Sequence, residues 1–182
     1  MSNESTFDVR PIQAGDVEAI RAFFARIGDG DKTFFKEDVD DAETVTQWTT
    51  DHRGHRLLAF DGIDVVGYLA VIPGVGWSDH VGELRLVVDP TRRRSGLGRR
   101  LARLGLVEAL QMDLQKVIVE VVTDQVATIQ LFDSLGFEGE ALLRDHVRNR
   151  DGEFRDLIVL AHAAQETWEL MSAAGIDDAV GQ

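Results

Sequence analysis

Between residues 89 and 101 the chain reads Asp-Pro-Thr-Arg-Arg-Arg-Ser-Gly-Leu-Gly-Arg-Arg-Leu, crowding five arginines and two glycines into thirteen positions. A strand pattern precedes this run and a helix pattern follows it. At such a junction the first helical N–H groups have no intrahelical acceptor and the helix dipole adds partial positive charge, so an anion is favoured there. Gly96 and Gly98 let a ligand approach the backbone, and Arg93, Arg94 and Arg99 add charge around Ser95 and Leu97. The chemistry this suits is the cradling of a diphosphate. It is not a Walker loop, because no Gly-Lys-Ser/Thr follows. Nor is it a dinucleotide fingerprint, because position 101 holds Leu where a third Gly belongs.

Alternation predicts strands over Phe7 to Ile12, His55 to Phe60, Val65 to Ile72 and Val81 to Val88. The Asp61-Gly62 turn makes the middle ones an antiparallel meander. Helices are predicted from an Asp16 cap through Val17, Ile20, Phe23, Phe24 and Ile27, through Val45 and Trp48, and from Gly96 to about Leu114. Lys116 to Val122 is a β-branched run that reads as a strand buried on both faces. With the helix before it, it completes a strand–helix–strand crossover. A helix from Gln125 to Leu135 stops at Gly136. Two final strands, Glu138 to Arg148 and Glu153 to His162, flank an Asp151-Gly152 hairpin, and a terminal helix or tail runs on from Ala163. No repeat or linker divides residues 1–182, so one α+β domain with a mixed sheet is expected.

Composition narrows the function. The 182 residues carry a net charge of −13, which makes the surface as a whole repel nucleic acid and anionic membrane. There is no Cys, which excludes disulfides, thiolate metal sites and a cysteine nucleophile. No signal peptide or membrane-length apolar run is present, so a cytoplasmic location is expected. No metal site is expected either: His52 and His55 would share a helix face, but Gly54 and the adjoining strand argue against a helix. Only three lysines occur, and six of the sixteen arginines lie between Arg92 and Arg103. A nucleic-acid-binding helix there is disfavoured by the overall charge and by the glycines in mid-patch.

The Arg93-x-x-Gly96-x-Gly98 spacing resembles motif A of the GNAT superfamily of acetyl-CoA-dependent N-acetyltransferases. Val88-Asp89-Pro90 is similar to the end of the family's preceding strand, Phe132 to Phe137 to its later helix ending in Gly-Phe, and Val9-Arg10-Pro11 with Asp16 to its opening. The resemblance implies a mostly antiparallel mixed sheet of about seven strands flanked by about four helices, with a splayed strand pair holding coenzyme A. It implies that the pantetheine arm lies beside Leu86, Val87 and Val88, with a backbone N–H near Val88 polarising the thioester carbonyl. Arg93, Arg94, Ser95, Gly96, Leu97, Gly98 and Arg99 would hold the diphosphate, and Gln125 and Phe132 would contact the cofactor. Three positions depart from the family's habit: Arg94 where Gly is frequent, Gln125 where Asn is common, and Phe132 where many members carry an acid Tyr. Tyr68 is the sole tyrosine.

Acetyl transfer to an amine needs a neutral nucleophile, so something must take a proton. Glu83, on the strand leading to the cradle, is the candidate base or relay. The competing reading is an edge-strand salt bridge to Arg85. The histidines read first as surface or hairpin residues, and Trp77 as core or rim. Secondary readings let His80 assist proton removal and Trp77 wall the acceptor site. The expected partners are acetyl-CoA and an amine acceptor, either a small cationic amine or a protein terminus, bound by a monomer or homodimer. Acid-rich residues 29–51 fall where the family often builds its acceptor wall. A GNAT-like sensor that binds acyl-CoA without turnover is the alternative, motivated by Phe132.

Overall fold

Residues 7–28, 31 and 35–164 are described by a computed structural model. Seven strands form a single sheet: β1 (Asp8–Pro11), β2 (His55–Asp61), β3 (Asp64–Pro73), β4 (Val81–Val88), β5 (Lys116–Val122), β6 (Glu138–Arg148) and β7 (Phe154–Ala163). Their order is β1-β2-β3-β4-β5-β7-β6. Every neighbouring pair is antiparallel except β4 and β5, which are parallel. The helices among the described residues are α1 (Val17–Arg26), α2 (Ala42–Trp48), α3 (Leu97–Gln111) and α4 (Val126–Asp133). The expected terminal helix or tail lies beyond Ala164, outside the described residues.

Each helix is placed by its apolar stripe. On α3, Leu97, Leu101, Ala102, Leu106 and Ala109 are buried and pack on Leu69, Val71, Leu84, Val117, Val119 and Val121. Gly105 lets this helix sit close: a Cβ there would lie 2.4 Å from Leu84 Cδ1. On the opposite face, α1 and α2 bury Ile20, Phe23, Phe24 and Trp48 against Leu58, Phe60, Tyr68 and Val87. Asp41 caps α2, accepting from the N–H groups of Glu43 and Thr44. Asp16 does not cap α1; its carboxylate takes Arg10 and the Gln13 N–H instead.

The aromatic core takes residues from β2, β3 and β4 but none from β5, β6 or β7. This corrects the reading of β5 as buried on both faces. Val117, Val119 and Val121 are buried, while Ile118 and Glu120 are partly exposed, because α1 and α2 do not reach across to that side. The parallel pairing of β4 with β5 is also brief, running from Val81↔Lys116 to Glu83↔Ile118. Beyond it, β4 stays paired to β3 through Val88 and β5 stays paired to β7 through Val122. The two central strands therefore splay apart.

Candidate functional site

The splay opens a cleft of about 700 Å³, lined on one side by Glu83 to Val88 and on the other by Val119 to Val122, with Gln125, Leu131 and Phe132 of the α4 region closing it. Strand geometry arms the β4 edge. The Asp89 N–H donates to the Val66 carbonyl at 2.9 Å. Since backbone groups alternate sides along a strand, the N–H groups of Val88 and Leu86 point away from β3 and into the opening.

At one end of the cleft stands the N-terminus of α3. Gly96 is its cap residue at φ 86°, and Arg94 holds φ 64°, a left-handed conformation that is strained for a long side chain such as Arg. That strain is the physical reason Gly would suit position 94. Ser95 Oγ donates to the Arg92 carbonyl at 2.6 Å and accepts a long 3.4 Å contact from the Leu97 N–H. Among the described residues the N–H groups of Ser95, Gly96, Gly98 and Arg99 have no acceptor. A fifteen-residue helix thus presents open donors beside a cleft that Arg93, Arg94 and Gly98 line. A Cβ on Gly98 would meet Leu131 and Val88 at ordinary contact distance, so it is approach to the backbone that the missing side chain keeps open.

The six arginines of residues 92–103 point in different directions. Arg92 pairs with Asp61 at 2.8 Å, Arg99 reaches Ser134 Oγ at 2.7 Å, and Arg100 donates to the Phe7 carbonyl at 2.7 Å. Arg93 ion-pairs with Asp31. Arg94 and Arg103 have no hydrogen-bond or ion-pair partner among the described residues. The side chain of Leu97 is in the core, leaving only its backbone for a ligand.

At the other end, Glu83 accepts from Arg85 Nε at 3.0 Å and Nη2 at 3.1 Å, and from Lys36 Nζ at 3.0 Å. Burial pushes its carboxyl up, but the Arg85 and Lys36 cations outweigh this and hold it below the usual carboxylate range. The salt bridge to Arg85 therefore exists, though on a central strand and not an edge. Arg85 also donates to Glu37 at 2.6 Å, and Lys36 Nζ makes a second 3.0 Å contact to Glu120. Asp31, Phe35, Lys36 and Glu120 all line the cleft. None of the four was singled out in the sequence: Asp31, Phe35 and Lys36 fall within the acid-rich residues 29–51, and Glu120 is the one acid in the β-branched run.

Phe132 is buried, packs edge-to-face on Phe137 with ring centroids 5.1 Å apart, and walls the cleft with no hydroxyl to offer. Tyr68 does not replace it. It lies in the aromatic core, stacked on Trp48, and burial pushes its phenol well above the usual range. Neither His80 nor Trp77 lines the cleft, and Trp77 is 96% exposed. Gln125 sits where expected, at the start of α4 and in the cleft wall.

The model of the acetyltransferase (GNAT) family matches residues 20–137. Mycothiol acetyltransferase from Kocuria rhizophila is 44% identical over 69 residues, 37% of this chain, and the match spans 23% of that relative's length. Among solved structures, a GNAT-family acetyltransferase from Streptococcus pneumoniae has a TM-score of 0.76 at 20% identity, covering 87% of this chain and 99% of that one. Ribosomal-protein-alanine N-acetyltransferase from Brucella melitensis scores 0.75 at 24% identity over 86% and 99%. A putative acetyltransferase from Salmonella typhimurium, solved with its cofactor acetyl-CoA, scores 0.75 at 19% identity over 88% and 95%. These structural likenesses establish the fold.

Proposed function

Because the chain belongs to the acetyltransferase (GNAT) family, whose model spans residues 20–137, we propose that it moves the acetyl group of acetyl-CoA to a primary amine by direct attack. The observation that carries this reading is the splay itself: one cleft joins open N–H donors at the α3 N-terminus to a carboxylate near the last paired residues of β4 and β5. The residues present fit the cosubstrate. Gly96, Gly98 and the neighbouring N–H groups suit its diphosphate, Arg94 has no competing partner among the described residues, and the edge from Leu86 to Val88 offers strand-like pairing to an amide-bearing arm. That the Salmonella typhimurium relative was solved with acetyl-CoA supports the choice of donor.

Acetyl-CoA supplies an activated thioester. The amine nitrogen forms a bond to the carbonyl carbon, the C–S bond breaks, and the thiolate leaves with its electron pair. The Val88 N–H, aimed into the opening, is positioned to donate to the carbonyl oxygen as it gains negative charge. Glu83 takes part in removing the amine's proton. With both oxygens bonded and its basicity depressed, it serves as the ionised end of a water relay that passes the proton out to solvent. No tyrosine hydroxyl lines the cleft among the described residues. The thiolate, a good leaving group, departs without a protein acid. Residues 1–182 would act as one catalytic domain.

A thermal-denaturation series tests the reading. Saturating acetyl-CoA raises the melting temperature, by about 2.7 kcal/mol of added stability at a hundredfold excess over Kd. No shift would refute the cleft as its site. Release of free thiol on adding primary amines separates turnover from mere acyl-CoA sensing.

A further inference from the structure

One cation inside the cleft is left without a role by the transfer reaction. Lys36 lies between α1 and α2, not on the sheet, yet its Nζ sits 3.0 Å from Glu83 Oε2 and 3.0 Å from Glu120 Oε1. Glu83 pairs with Ile118 as the last contact between β4 and β5, and Glu120 is two residues further along β5. The ammonium thus bridges the two strands at the apex of the splay. Phe35 beside it is anchored in the aromatic core, with centroids 5.3 Å from Phe24 and 5.8 Å from Tyr68, while the Lys36 side chain itself is 48% exposed. An aromatic anchor thus sits beside an arm with solvent room to swing out once its two ion pairs part.

We propose that the Lys36 ammonium is an internal stand-in for the acceptor, occupying the place that a second ammonium of a cationic alkyl amine, one not itself acetylated, takes when it binds, with Glu120 as a recognition residue for that amine. This rests on the amine-acetylating reading of the same cleft and names its substrate class. Charge decides the class. Arg85 gives Glu83 two hydrogen bonds that survive displacement of Lys36, but Glu120 has no other cation among the described residues. A neutral ligand in place of Lys36 would leave the partly buried Glu120 carboxylate unpaired, which is costly. A cationic one restores the pair.

Lys36 is the occupant and not the acceptor. Burial lowers its proton affinity, but its bonds to Glu120 and Glu83 more than reverse this and hold it above the usual lysine value. It stays protonated and has no lone pair with which to attack a thioester.

The lysine side chain is n-butylamine on a tether, which supplies the probe. Its binding is measured by calorimetry with coenzyme A present, so that no acetyl group is transferred, for wild type, Lys36→Ala and Lys36→Met. A short tether makes Lys36 compete at an effective concentration in the mM range, so removing it should tighten n-butylamine by about tenfold or more. Adding Glu120→Gln to Lys36→Ala should abolish that gain, and n-butanol, neutral and of like shape, should not bind. Equal affinity in wild type and both Lys36 variants overturns the proposal. So does binding of n-butanol as tight as that of n-butylamine, or an acetyl-sized mass increase on Lys36 after incubation with acetyl-CoA. Failure of acetyl transfer with the n-butylamine difference intact would instead count against the transferase reading alone.

Discussion

The two ends of the cleft are built in opposite ways. At the α3 end, the groups come from one stretch of chain, residues 93–99, and are largely backbone N–H groups exposed by glycine and helix geometry. At the apex, they are side chains brought from afar: Lys36 is 47 residues from Glu83 and 84 from Glu120. The first end can be built by a short local motif, because a helix start offers the same donors whatever the fold around it. The second exists only once β4 and β5 pair and then part.

The largest effect should come from the apex. Glu83→Gln keeps the shape but removes the charge that draws off the amine's proton, so turnover should fall about a hundredfold. The acetyl-CoA-induced thermal shift should not change, since Glu83 lies at the far end from the phosphate groups. Turnover within a few-fold of wild type would remove Glu83 from the reaction. Stability supplies a second reading. The folded carboxyl titrates below its unfolded value of about 4.3. The stabilisation from its ion pairs is therefore present above that pH and lost as pH falls through the folded value. The gap in melting temperature between wild type and Glu83→Gln should narrow as acidification passes below the unfolded value and close once the folded carboxyl is protonated, and a gap that acid leaves unchanged would assign it to packing.

A smaller effect is expected from Arg94→Gly at the α3 end. The left-handed φ of 64° costs an L residue about 1–2 kcal/mol, of which Gly gives back about 0.5–1 through its unfolded-state entropy. The variant should melt about 1–3 °C higher without ligand. It also loses a cation that lines the cleft, so its acetyl-CoA affinity should fall and depend less on salt. A variant that melts lower than wild type would mean that Arg94 holds the loop through its side chain, and the contrast between a backbone-built end and a side-chain-built end would soften.

The same division explains what the sequence revealed. The bounds of β4, β5 and β6 were legible because alternation and turn residues are local. Gly96 and Gly98 were legible because a helix start needs nothing distant. Lys36 and Glu120 were not. Reading β5 as buried on both faces hid Glu120, since only the limited reach of α1 and α2 uncovers that face. The directions of the arginines were not legible for the converse reason: neighbours in sequence point apart on a turn and helix, and Asp61, Ser134 and the Phe7 carbonyl each take one.

The two ends nevertheless share one device, and the mildest variant tests it. The segment joining α1 to α2 sends Asp31 to Arg93 at one end and Lys36 to Glu83 and Glu120 at the other. An anion thus holds the arginine expected to meet phosphate, and a cation holds the carboxylates expected to meet an amine. Release of Arg93 should be easy, because half of its side chain is exposed and surface pairs contribute about 0–1 kcal/mol. Asp31→Asn should therefore tighten acetyl-CoA by no more than about fivefold, with turnover at saturating donor unchanged. Weaker binding in the variant would show that Asp31 presents Arg93 to the ligand and does not compete with it. The stand-in principle would then hold at the apex alone, where Lys36 and an incoming amine carry the same charge and cannot occupy one place together.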